Sequence, residues 1–149
     1  MKKQAVKTFV LLGILLSLSA IYVYAREATM IRKVEIPFEF SIGNKTYPAG
    51  TYRITRVTPD KTVIQLNRED GKEVVRVLTY PVRAKEIPET GKLNFRRYGK
   101  SYFLYQIWEP SDYQGRQLAK SRTERSVERD FLTKRGEEPA IVDLVVATP

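Results

Sequence analysis

From Val34 to Ile42 the chain reads VEIPFEFSI, with Val34, Ile36, Phe38, Phe40 and Ile42 alternating against Glu35, Pro37, Glu39 and Ser41. Alternation at period two sends one set of side chains into a core and the other to water. The stretch therefore predicts a single half-buried strand that needs an opposing apolar layer. The following residues supply that layer in short pieces. Gly43-Asn44 is a two-residue hairpin signal and Lys45 to Tyr47 a short return. Pro48-Ala49-Gly50 is a second turn, releasing a strand from Thr51 to Val57 with Tyr52 and Ile54 on one face. After Thr58-Pro59-Asp60 the pattern resumes over Thr62 to Leu66, and Asp70-Gly71 pairs that run with a strand from Lys72 to Tyr80. There Val74, Val75, Val77 and Leu78 predict cover on both faces. Pro81 ends or edges the strand, and Lys85 to Lys92 reads as a polar connection.

Leu93 and Phe95 open the next strand, Tyr98-Gly99-Lys100-Ser101 turns it, and SYFLYQIW from Ser101 to Trp108 returns. Strict alternation puts Tyr102, Leu104 and Trp108 on one side and Phe103, Tyr105 and Ile107 on the other. Both sides want cover, which predicts a central strand. Glu109 to Gly115 reads as a loop. Ser121-Arg122-Thr123-Glu124 is a capping box, so a helix starts at Arg122 and stops at Gly136, with Val127 and Phe131 on the face that docks. A last strand runs from Ile141 to Val146. Short strands at close spacing with one helix predict an antiparallel β-sandwich or small barrel, with the C-terminal helix packed on the sheet and covering one side of SYFLYQIW.

The first 25 residues differ from this pattern. Lys2, Lys3 and Lys7 precede an apolar run from Phe9 to Val23, and Val23-Tyr24-Ala25 ends it, which is the pattern of an export signal cut after Ala25. Residues 26–149 are then a single exported β domain, in the periplasm or outside the cell. The competing reading is an uncleaved anchor, since about 17 apolar residues can span a bilayer. The chain of 149 residues has no cysteine, so neither disulfides nor a lipid-bearing cysteine contribute, and the fold rests on packing. Its net charge of +9 becomes +6 without the three leader lysines. A basic exported surface suits anionic envelope glycans or lipid headgroups better than nucleic acid, and it also serves solubility alone.

The absence of histidine removes the serine-histidine triad, histidine metal sites and the commonest acid/base residue together. Glu35 and Glu39 share a strand face about 13 Å apart, too far to work as a pair. No calcium loop has the right spacing, and Gly99-Lys100-Ser101 lacks the upstream glycine and following helix of a phosphate loop. No cofactor is expected. What remains is basic: Arg96, Arg97, Arg116, Lys120, Arg122, Arg125 and Arg129, interleaved with Tyr98, Tyr105 and Trp108. Of these, Arg96, Arg97, Tyr105, Trp108, Arg116 and Arg125 are the candidate ligand-binding set. Against it, charges on a helix are usually a solvated face, and aromatics on a two-sided strand are usually core.

The ordered set IPFEFSIGNKTYPAGTYRI, NFRRYGKSYFLYQIW and GRQLAKSRTER, spanning Val34 to Arg125, resembles a family of small uncharacterised exported proteins from soil bacteria. The resemblance implies a periplasmic or secreted β domain and carries over no catalytic residue. Most matching positions, including Pro48, Gly50 and Gly99, already have a structural role; Arg116 and Arg125 do not. The expectation is a non-enzymatic exported module that binds or structures an envelope component. The alternative is a small ligand carrier with an aromatic-lined barrel pocket.

Overall fold

A computed structural model of the chain describes residues 32–146. The expected leader and its cut after Ala25 lie outside them. The fold is mainly β: two antiparallel-dominated sheets face each other across one core, with a single helix near the C-terminus. The first sheet has the order β1 (Arg32–Ile36), β4 (Gly50–Arg56), β5 (Val63–Arg68), β6 (Val74–Leu78). The second has the order β11 (Ala140–Val145), β8 (Lys92–Tyr98), β9 (Ser101–Trp108), β10 (Gln114–Gln117), β7 (Tyr80–Arg83). The hairpin of β2 (Phe40–Ile42) and β3 (Lys45–Tyr47) joins it through a parallel pairing of β2 with β9. The sheets do not close into a barrel, which decides between the two expected forms in favour of the sandwich.

The run from Val34 to Ile42 is two strands in different sheets rather than one. It breaks over Pro37, Phe38 and Glu39, because proline offers no N–H to a ladder. The alternation still holds across the break. Val34 and Ile36 point inward from the first sheet, Phe40 and Ile42 from the second, and all four are buried. Phe38 bridges them, lying edge-on to Phe95 and stacked on Tyr102 with ring centres 3.9 Å apart. Tyr52, Ile54, Ile64 and Leu66 face Leu93, Phe95, Leu104 and Ile107 to complete the core. Each such large apolar side chain contributes about 1.5–3 kcal/mol on leaving water.

The expected strand Lys72 to Tyr80 also changes sheet. Thr79 is the buried crossing point, its amide and hydroxyl both donating to carbonyls of the Lys61-Thr62 segment. β6 is an edge with one covered face, so Val74 and Leu78 are exposed and the expected cover on both sides is absent. Pro81 sits on the edge strand β7, where its missing N–H does no harm. Gln114–Gln117 forms β10, inserted between β9 and β7, so the chain after Asp112 is not all loop.

β9 is central, as its apolar character predicts, but its faces differ from strict alternation. Asn94 pairs with Gln106 and Phe95 with Leu104, leaving Tyr105 as the extra residue of a bulge. The slip puts Leu104 and Ile107 together in the core and Phe103, Tyr105 and Trp108 together on the outer face. The helix α1 (Arg122–Arg135) covers only one end of that face. Phe103 and Tyr98 are buried near it, and Phe131 meets the Tyr98 ring edge-on. Its docking is more polar than expected. Val127 and Phe131 are half-buried, whereas Glu124 is the buried residue of the helix.

Candidate functional site

The six sequence candidates do not form one site; Arg96 and Tyr105 meet, and the others lie elsewhere. Arg96 lies on the outer face of β8, donating to Glu124 at 2.9 Å with its guanidinium 3.5 Å from the Tyr105 ring centre. Arg96 and Tyr105 are therefore together, but Glu124 neutralises the arginine. Tyr98 donates to Glu124 and Glu128, and Lys120 pairs with Glu128, closing an ionic seam under the helix. Burial, then the negative charges of Glu124 and Glu128, hold the Tyr98 hydroxyl protonated well above the ordinary tyrosine range. Ser121 accepts from the Glu124 amide, but the Glu124 side chain turns to Arg96 and Tyr98, so only half of the expected capping box forms. Asn44, from the β2–β3 turn, accepts from the Thr123 amide and hydroxyl at the same helix end.

Arg97 is on the opposite face, exposed, with Nε donating to the Gly99 carbonyl. Arg125 is exposed on the helix and donates to the Lys120 carbonyl. Trp108 lies on the outer face with its indole against Gly115, donating to Gln106. It walls an open cleft of about 480 Å³ beneath the 84–90 segment. Lys85, Glu86, Glu89 and Lys92 line that cleft, so its charges cancel.

Arg116 differs from all of these. It pairs in register with Ile107 and Pro81 and points inward at the rim between the sheets, 5% exposed. Its Nε donates to the Thr79 hydroxyl and one Nη2 proton to the Thr79 carbonyl, each at 3.0 Å. Those bonds use the side edge of the guanidinium. The end edge, made of Nη1 and the second Nη2 proton, has no protein acceptor among the described residues, and no carboxylate there lies within ion-pair distance. A guanidinium keeps its charge and is costly to bury uncompensated.

Arg116 borders an open cleft of about 470 Å³. Leu78, Tyr80 and Pro81 contribute its apolar lining, and Asp60, Thr62 and Gln114 its polar lining beside Thr79 and Arg116. Asp60 is held down to about 2 by the hydroxyls of Thr58 and Thr62 and by the Thr62 amide, so it is ionised at neutral pH. Among the described residues no cluster of acidic side chains has a metal-binding arrangement.

The sequence includes Arg116 among six candidates but shows none of its surroundings. The cleft exists because Thr79 changes sheets and β10 inserts beside β9, and both events fall where the sequence reads as one strand and one loop. Pro81 was the available signal, since a proline closing an apolar run marks the edge where two elements part. No family model, curated protein or solved structure matches the chain.

Proposed function

We propose that the protein is an exported, non-enzymatic β module that binds an anionic component of the cell envelope, with Arg116 as the principal recognition group. The observation that carries this reading is a buried guanidinium that borders a cleft and whose end edge has no acceptor among the described residues. A site of that kind matches the planar fork of a carboxylate or phosphate. The leader pattern and the basic balance of the sequence support export and an anionic partner over nucleic acid. Among the described residues no helix is long and apolar enough to cross a membrane. The carrier alternative loses its barrel pocket, because the sheets stay open and Tyr105 and Trp108 lie on the outer face.

The test is equilibrium binding of the chain, expressed with its leader, to anionic phospholipid vesicles and to soluble peptidoglycan fragments. Wild type binds at least one, and Arg116→Gln weakens that binding by about tenfold or more, as loss of charge-assisted bonds requires. Equal binding by the variant removes Arg116 from the role. Turnover on a panel of hydrolase substrates overturns the non-enzymatic reading.

A further inference from the structure

The charge and shape of the cleft narrow the ligand, on the basis of the reading of Arg116 just given. We infer that the cleft takes a monoanionic amphiphile, with a carboxylate on the end edge of Arg116 and an apolar chain along Leu78 and Tyr80. Three features lead there. The Nη1–Nη2 edge presents parallel N–H groups at carboxylate spacing, while Thr79 fixes the guanidinium plane from the other edge. Asp60 and Arg116 alone carry charge among the lining residues, so the cleft is neutral overall. The ionised Asp60 in the lining repels any anion, and a dianion such as phosphate more strongly than a carboxylate, so a single negative charge on the arginine is the better match. Finally, Leu78 is 64% and Tyr80 60% exposed, an apolar shelf that a purely polar anion leaves uncovered.

The role of a structural tether explains only half of Arg116. Bonds to Thr79 lock the crossing between the sheets, but one edge suffices for that. The shared ligand chemistry, a carboxylate ending an apolar chain, arises in a fatty acid and in the C-terminus of an apolar peptide.

The experiment is an NMR titration of the full chain, 15N-labelled, following the Arg116 Nε–H and the amides of Leu78, Thr79 and Gln114. Sodium octanoate, 1-octanol, inorganic phosphate, and an apolar tripeptide as free acid and as amide are the probes. Saturable shifts with octanoate, absent with octanol and phosphate, are expected, and Arg116→Lys weakens binding by about tenfold or more because the fork is lost. If Arg116→Lys fails to fold, Leu78→Asp, at an exposed position, serves instead and gives the same loss. Binding of the tripeptide acid more tightly than octanoate, with none by the amide, assigns the peptide terminus; the reverse order assigns the fatty acid. Phosphate binding as tightly as octanoate overturns the amphiphile and leaves the anion site standing. Octanol binding equally, or no shift with any probe, overturns both.

Discussion

Gly115 lies directly against the indole of Trp108, so closely that a Cβ on Gly115 would stand 2.4 Å from the ring. The contact joins β10 to β9 on the outer face, where no larger residue fits without moving the indole. Gly115→Ala is expected to cost about 1–3 kcal/mol by overpacking. A lower denaturant midpoint with altered tryptophan fluorescence is the predicted result; an unchanged midpoint removes the close-packing account.

Glu124 serves Arg96 and Tyr98 at once from a buried position in the first helical turn. Glu124→Ala leaves a half-buried guanidinium without its carboxylate, and the expected loss is about 3 kcal/mol or more. Glu124→Gln keeps the shape and part of the hydrogen bonding and is expected to lose less. Chemical denaturation of both variants checks the order, and equal, small losses contradict an ionic seam under the helix.

Acid weakens the fold through carboxyls whose folded-state affinity for protons is depressed. The Thr58 and Thr62 bonds hold Asp60 down to about 2, the Lys61 hydrogen bond lowers Asp112, and the Lys33 hydrogen bond lowers Glu69. Their stabilisation is present above the ordinary carboxylate range, near pH 4, and is lost as pH falls toward about 2. Denaturant midpoints should therefore hold from neutral pH to about 5 and decline below about 4. A midpoint that is level down to about pH 2.5 contradicts this.

Base acts through tyrosines. Burial raises Tyr98, Tyr47 and Tyr52, so the unfolded chain releases those protons first and stability falls as pH climbs above about 10. Tyrosinate absorbance should rise together with unfolding, and Tyr98→Phe should reduce the slope. Tyrosinate formation at Tyr98 in the folded protein at ordinary tyrosine pH contradicts its burial.

Much of the fold is legible because turn chemistry and periodicity agree. Gly43, Gly71 and Gly99 take positive φ at the three predicted hairpin turns, and Gly136 takes it at the helix end. The core follows the alternation of Val34, Ile36, Phe40, Ile42, Tyr52 and Leu66. Sheet membership is not legible, because inward-facing residues look alike whichever sheet they leave from. Pro37 and Thr79, where the chain crosses between sheets, sit inside runs that read as continuous. The Tyr105 bulge depends on pairing with β8, and a single-strand pattern carries no information about it. Arg116 reads as one arginine among many, since burial and an unfilled guanidinium edge are tertiary properties.

Asp60 sets the charge preference of the cleft in this account. Asp60→Asn leaves Arg116 as its one charge, so both anions should bind the variant more tightly than wild type, with the larger gain for phenyl phosphate and the smaller for octanoate. Isothermal titration of both ligands checks this. Equal phosphate affinity in the two proteins means that Asp60 does not filter by charge.

The position of a bound carboxylate tests the central claim most directly. In a crystal structure of the full chain with octanoate, both oxygens should lie within about 3 Å of Arg116 Nη1 and Nη2, with the alkyl chain over Leu78 and Tyr80. Octanoate seated on surface lysines, or an Arg116 end edge engaged by a carboxylate of its own chain, would contradict it.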